Sequence, residues 1–97
     1  MDGIMKFVWL NKQGVASDQG FVLQSVDRYA FEYREANRVA RLKGESFRRD
    51  GRCGFGFYGF PDWWEPPYDK VPVAEVDRII NNIKEAMAFM DILTKFE

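Results

Sequence analysis

The sequence predicts an α+β domain: a mostly antiparallel sheet of about five or six strands with one long C-terminal helix packed on one face. Short apolar runs rich in aromatic residues recur between Lys6 and Phe60, and turn residues separate them, as between consecutive strands. From Ala74 to Phe89 the apolar residues recur at helical spacing instead. A helix with one apolar stripe and a sheet with one aromatic face must each bury that surface, and packing the helix on the sheet buries both.

The first two strands are predicted near the N-terminus. Lys6-Phe7-Val8-Trp9-Leu10 is a short apolar run that ends at Asn11-Lys12-Gln13-Gly14, a sequence typical of a turn. Residues 11–20 are polar and are predicted as a loop. Phe21-Val22-Leu23-Gln24 then begins a second extended run.

Residues 26–43 fit two structures. At helical spacing one stripe emerges, which consists of Val26, Tyr29, Ala30, Tyr33, Ala36 and Ala40. At a spacing of two, the aromatic side chains from Tyr29 to Tyr33 share a face, residues 35–38 make a turn and residues 39–44 return as a strand. The alternating aromatics, and Asn37 with its tolerance of positive φ, favour the hairpin slightly. Both interpretations stay open at this level.

The second half of the chain predicts a connection, a strand, the helix and a final strand. Residues 47–52 are charged and are predicted as a connection, whereas Gly54 to Phe60 alternate glycine with aromatics, which predicts a strand with room on its glycine side. The helix carries acids in its first turn, and its apolar face consists of Val76, Ile79, Ile80, Ile83, Met87 and Met90. Residues 92–96 alternate and predict a closing strand, although a prolonged helix also fits them.

Length and charge limit the organisation and the partners. The 97 residues suit a single domain over 1–97, in which residues 1–4, ahead of a second start at Met5, are an extension of little structural weight. A net charge of -1 argues against a general binder of nucleic acids or anionic membranes. Residues 27–52 hold eight Lys/Arg against five Asp/Glu, and residues 60–97 hold four against eight. The basic and acidic regions are therefore expected to face different ways.

The residue inventory argues against enzymatic chemistry. The chain has no histidine and one cysteine, Cys53, which removes the usual hydrolase dyads and most zinc sites. We expect Cys53 to be a small buried hydrophobe, and we expect no metal, no cofactor and no catalytic residue. The N-terminus lacks the features of a signal peptide, and no apolar run is long enough to span a bilayer, so a cytoplasmic protein is expected.

The segment from Phe60 to Pro72 combines prolines with large aromatic residues and acids. Because proline fixes φ and favours extension of the preceding residue, this segment is predicted to lose little entropy on contact with a partner. Successive side chains of an extended chain point to opposite sides. We therefore assign Trp64 to the core and Trp63 to the surface. The predicted partner-binding residues are Trp63, Glu65, Tyr68 and Asp69.

Two other functions fit parts of the sequence. The run Gly54 to Phe60, with Arg52 before it, is similar to the octapeptide of the RNA-recognition motif, which suggests a small module for RNA or single-stranded nucleic acid that uses Arg52, Phe55 and Phe57. The slight negative charge and the order of the elements speak against it. A structural subunit that self-associates through Phe89, Ile92 and Phe96 is the third interpretation.

The chain resembles a family of small immunity proteins from bacterial polymorphic-toxin systems. The resemblance rests on Trp64-Glu65-Pro66-Pro67-Tyr68-Asp69, on Val71-Pro72-Val73 and on residues 78–89, and it covers roughly residues 23–97. It implies a hairpin over the ambiguous region, a strand over residues 92–96, and a cytosolic inhibitor that binds a cognate toxin protein.

Overall fold

The computed structural model describes residues 5–65 and 69–96 of the chain. These residues contain seven strands and one helix, in the order β1 Phe7–Asn11, β2 Gly14–Ser17, β3 Phe21–Asp27, β4 Ala30–Glu35, β5 Arg38–Arg49, β6 Arg52–Phe57, α1 Val73–Phe89 and β7 Leu93–Phe96. The strands form one sheet in chain order. Neighbouring strands from β1 to β6 are antiparallel, and β7 lies parallel to β6 after the crossover through α1.

The predicted α+β class is confirmed, but the sheet differs from the prediction in two respects. It has seven strands, and its last pair is parallel, so the sheet is mixed. The additional strand is β2, which lies within residues 11–20, where the sequence predicted a loop. Val15 is fully buried there and anchors the strand in the core. A four-residue strand with one large apolar side chain is too short to show an alternating pattern.

Residues 26–43 form the hairpin, not the helix. β4 and β5 pair through Tyr33 opposite Ala40 and Phe31 opposite Leu42. The positive φ of the turn falls on Ala36, at 54°, rather than on Asn37. Tertiary pairing thus overrides a helical stripe that is equally well formed in the sequence.

The charged residues 47–52 were predicted as a connection, and this prediction is wrong. β5 continues to Arg49 and turns back into β6 through Asp50 and Gly51. Both turn residues have positive φ, 53° and 80°, the combination that a tight hairpin turn with aspartate-glycine uses. The dipeptide was the sequence signal for this hairpin.

The core lies between one face of the sheet and α1. We call this face the inner face; on the neighbouring strands it carries Val15, Leu23, Phe31, Tyr33, Ala40, Leu42, Phe55 and Phe57. The same buried cluster includes Ile79, Ile83, Ala86 and Met87 of α1, together with Phe21, Trp64 and Val71. Gly44 belongs to the same face, opposite Phe57, and a Cβ atom there would overlap the carbonyl oxygen of Gly56.

The C-terminal end of α1 explains why the chain continues as the strand β7 and not as a longer helix. The helix begins after Pro72, and its final turn closes with hydrogen bonds from Asp91 N–H to the Ala88 carbonyl, 3.0 Å, and from Ile92 N–H to the Met87 carbonyl, 2.9 Å. Asp91 has φ 60° between them, so the chain leaves the helix in a left-handed turn and enters β7. The prediction of a closing strand is confirmed. No helix in the described ranges is both long and apolar enough to cross a membrane.

Candidate functional site: the loop between β6 and α1

The loop from β6 to α1 is held by its own short ladder. Trp64 N–H donates to the Asp69 carbonyl and Val71 N–H donates to the Asp62 carbonyl, both at 2.8 Å. Trp63 and Lys70 form an antiparallel bridge between these bonds. Residues 62–64 therefore run beside residues 69–71, and both chain neighbours of Trp63 are held by backbone hydrogen bonds.

Trp64 anchors this loop in the core, as predicted. Its side chain is fully buried and stacks on the Tyr33 ring, with the centroids 6.4 Å apart. The guanidinium carbon of Arg38 lies 5.7 Å from the centroid of the Trp64 ring, so a cation covers part of the indole. The next residue, Glu65, donates its N–H to the Val39 carbonyl at 2.6 Å and ties the loop to β5.

Trp63 points the other way and is 53% exposed. The backbone places Glu65 and Asp69 on the surface of the same loop, together with the exposed side chains of Asp62 and Lys70. Tyr68 lies outside the described residues. Of the predicted partner-binding residues, Trp63, Glu65 and Asp69 thus lie in one loop, which carries a half-exposed indole, three exposed acids and one exposed lysine, Lys70, opposite Trp63.

A polar cluster below the loop fastens α1 to the sheet. Arg78 donates two hydrogen bonds to the Glu35 carboxylate, each 2.9 Å, and a third to Glu75 at 2.7 Å. Tyr33 donates its hydroxyl proton to Glu35 at 2.7 Å, and the Asn82 amide donates to the Tyr33 oxygen at 3.0 Å. Strand and helix are thereby joined by a bidentate ion pair and a buried hydrogen bond.

This cluster shifts the pKa values of its members. The hydrogen bonds from Arg78 hold the pKa of Glu35 below its ordinary value of 4.5, despite partial burial that opposes this. Burial raises the pKa of Tyr33, so the phenol stays protonated and remains a donor at neutral pH. Hydrogen bonds to Glu35 and Glu75 raise the pKa of Arg78. Sequence reasoning missed the cluster because Glu35 and Arg78 are distant in the chain and no local pattern links them.

The residues proposed to bind nucleic acid, Arg52, Phe55 and Phe57, lie in β6, outside the loop, and each contacts other residues of the protein. Phe55 is 5% exposed and Phe57 is fully buried, and both pack edge-on against Phe31. Arg52 pairs with Asp91 at 2.9 Å. Because two of the three residues keep their ring faces inside the core, they offer no stacking surface to a base.

Two other predicted residues behave differently from expectation. Cys53 is exposed, not buried, and lies 3.4 Å from an Arg48 nitrogen. Of the residues considered for self-association, Phe89 is exposed, whereas Ile92 is partly buried and Phe96 stacks on Phe57 at 4.7 Å. Among the residues that the structure describes, no three histidine, cysteine, aspartate or glutamate side chains are grouped to hold a metal ion.

A second surface feature lies at the C-terminal end of α1. An open groove of about 480 Å³ runs between the sheet and the helix end, and its apolar lining includes Trp9, Phe31, Phe55, Met90 and Ile92. Trp9 is 51% exposed and packs against Phe89, with ring centroids 5.7 Å apart. The sequence suggested self-association for Phe89 and Ile92 and nucleic-acid binding for Phe55, but it gave no surface role to Trp9, Phe31 or Met90.

Comparisons with protein-family models, with curated proteins and with solved structures found no match.

Proposed function

We propose that this protein is an immunity protein, which binds a cognate bacterial toxin domain in the cytoplasm and blocks it by occlusion. The observation that carries the proposal is the half-exposed indole of Trp63 on a backbone fixed by hydrogen bonds on both sides. A tryptophan on a fixed backbone loses little backbone entropy on binding, and tryptophan is among the residues that most often dominate interface energetics. The resemblance of the loop and helix to small immunity proteins supplies the class of partner.

The charges around Trp63 support a basic partner surface. Asp62, Glu65 and Asp69 are exposed in the loop, and Lys70 offsets one of them. Complementary charge accelerates encounter and disfavours wrong partners, even where each exposed pair adds little affinity. A toxin that acts on a polyanion such as nucleic acid has a basic cleft of the kind that this loop complements. In this arrangement Trp63 is the anchor, and Glu65 and Asp69 orient the toxin around it.

Inhibition by occlusion requires stoichiometric binding and no turnover. The inhibitor covers the toxin's substrate site for as long as the complex lasts, so residence time matters more than chemistry. The proposal accordingly assigns no catalytic residue, cofactor or metal to this chain.

The test uses the protein encoded directly upstream, where a toxin domain is expected. The purified toxin domain is titrated with this protein, and we expect complete inhibition at one equivalent. Trp63→Ala should weaken binding by about 30-fold or more, the loss of an interface hot spot. Trp9→Ala is the matched control, because its indole is equally exposed, at 51% against 53%, at the other end of the helix.

Two results would contradict the proposal. One is an upstream product that lacks toxicity and does not bind this protein. The other is a toxin that binds equally well to the Trp63→Ala variant and to the wild-type protein, when circular dichroism shows that both proteins are folded.

A further inference from the structure

Strand β1 is an edge of the sheet among the described strands, and three of its apolar residues, Val8, Trp9 and Leu10, are exposed. We propose that β1 is a separate binding site, at which an extended protein segment with an apolar middle and acidic ends adds a strand to the sheet. The proposal does not rest on the immunity function, since an edge can accept a strand from any protein of this chemistry.

The hydrogen-bond register shows which backbone groups of β1 point outward. Asp18 N–H donates to the Lys6 carbonyl at 2.9 Å, so Lys6 is bonded toward β2. Antiparallel pairs alternate between hydrogen-bonded and non-hydrogen-bonded, and Val8 pairs with Ala16 while Trp9 pairs with Val15. Val8 is therefore bonded inward, and the N–H and C=O groups of Phe7 and Trp9 point toward the free edge.

The next pair of strands gives the same register independently. Ser25 N–H donates to the Gln13 carbonyl at 2.9 Å, which makes Gln13 a residue bonded toward β3. By alternation Val15 is also bonded toward β3, and Gly14 and Ala16 are bonded toward β1. Trp9, opposite Val15, thus has no backbone bond from β2. No described strand lies beyond β1.

The side chains of β1 suit an added strand with an apolar middle. Val8 is 63% exposed on the outer face and Trp9 lies on the inner face beside Phe89, while Leu10, in the bulge after Trp9, is 52% exposed. Alternate side chains of an added strand would therefore meet aliphatic groups on one face and aromatic rings on the other. An open hollow of about 470 Å³ beside Trp9, Asn11 and Lys12 leaves room for them. The bulge in β1 lies after Trp9, so the segment from Phe7 to Trp9 stays regular.

The flanking charges select the occupant. Lys6 and Lys12 are exposed at the two ends of β1. The carboxylate near Lys6, that of Asp18, already accepts hydrogen bonds from Lys6 N–H at 3.1 Å and from the Gln19 amide at 3.4 Å. A partner with acids at both ends would meet these cations. A second copy paired antiparallel about Trp9 would place Lys6 opposite Lys12, an unfavourable like-charge pair.

The probe is a synthetic peptide of alternating valine and threonine with two glutamates at each end. A matched peptide carries lysines in place of the glutamates, and a third is the acidic peptide with alternate amides N-methylated. In the free protein, the amide protons of Phe7 and Trp9 should exchange quickly and that of Val8 slowly. The acidic peptide should slow exchange at Phe7 and Trp9 by about tenfold or more, because these amides gain hydrogen bonds.

The controls separate edge pairing from general adhesion. The lysine peptide should bind about tenfold more weakly, the N-methylated peptide should not bind, and the double variant Lys6→Glu with Lys12→Glu should prefer the lysine peptide. Trp63→Ala should leave peptide binding unchanged, which distinguishes this site from the toxin-binding loop. Equal binding of both charged peptides, or unchanged exchange at the amides of β1, would overturn the proposal. So would a free protein that sediments as a dimer and already exchanges slowly at Phe7 and Trp9.

Discussion

Trp63 and Trp9 are exposed to nearly the same extent, 53% and 51%, but the structure holds them in different ways. Trp63 lies in a loop whose backbone is bonded on both sides and whose next residue, Trp64, is fully buried. Trp9 rests against Phe89 and lies in an edge strand that, among the described residues, is paired on one side only. Exposure alone therefore does not distinguish the two sites.

The difference lies in what each site offers to a partner. The loop presents a half-exposed indole on a backbone held by hydrogen bonds, in a segment with three exposed acids and one lysine, which suits recognition by one deep contact with a basic surface. The edge strand presents backbone donors and acceptors between two lysines, which suits an extended segment. The loop is held in place by the core through Trp64. The outward backbone groups of β1, in contrast, would gain hydrogen bonds only from a partner.

The largest expected effect separates the two neighbouring tryptophans of the loop. Trp64→Ala should lower the free energy of unfolding by about 3 to 5 kcal/mol, since it empties a core site of a large ring. Trp63→Ala and Trp9→Ala should each lower it by less than about 1 kcal/mol, because both side chains are half exposed. Urea denaturation followed by circular dichroism measures all three. A similar loss of stability for Trp63→Ala and Trp64→Ala would contradict the assignment of Trp64 to the core and Trp63 to the binding surface.

The next effect concerns the polar cluster at the loop end of α1. Glu35→Gln should destabilise the protein by about 1 to 2 kcal/mol at neutral pH, because it removes the charge that pairs with Arg78. Glu45→Gln, at an exposed position of β5, is the control and should change little. Equal effects of the two substitutions would show that the cluster does not fasten the helix.

The Glu35 carboxylate should also make the stability of the protein depend on pH in the acid range. Its pKa in the folded protein is lowered from 4.5, so its stabilisation is present above that value and is lost as the pH falls through the lower folded pKa. The gap in stability between wild type and Glu35→Gln should therefore shrink between neutral pH and about pH 3. Hydrogen exchange should show this loss at the N-terminal half of α1 before the end near Phe89. A gap that is independent of pH would contradict the assignment.

The smallest expected effect compares the same change, alanine to glycine, at one position in each region. It should raise the stability at one position and lower it at the other. Ala36→Gly should stabilise the protein by about 0.5 to 1 kcal/mol, since Ala36 has φ 54° in the turn near the loop and glycine adopts this conformation without strain. Ala16→Gly, in β2 beside the edge strand, should destabilise it by about the same amount, because glycine loses more entropy in a strand. Thermal unfolding of both variants checks the sign, and two changes of equal sign would contradict the account.

The sequence predicted the features that follow from the spacing of apolar residues, namely the helix α1 and the opposite orientation of the two adjacent tryptophans. The long apolar stripe of α1 predicted a helix from Ala74, and the structure begins it at Val73. The adjacent tryptophans predicted one buried and one exposed indole, because alternation in an extended chain permits nothing else. The burial of Trp64 confirms this.

The remainder depends on contacts between distant residues. β2 is stabilised by strands on both sides rather than by its own sequence, and the parallel pairing of β7 with β6 follows from the path of α1. Glu35 and Arg78 meet only after helix and sheet have packed. The outward backbone groups of β1 depend on register, which a one-residue shift would reverse.

Fluorine NMR of the protein labelled with 5-fluorotryptophan tests the central claim most directly, because the chain has three tryptophans and thus three signals. Single Trp→Phe variants assign the signals, and the toxin domain is then titrated to one equivalent. We expect the Trp63 signal to shift or broaden strongly while those of Trp64 and Trp9 stay in place. Complete inhibition of the toxin with an unchanged Trp63 signal would contradict the account.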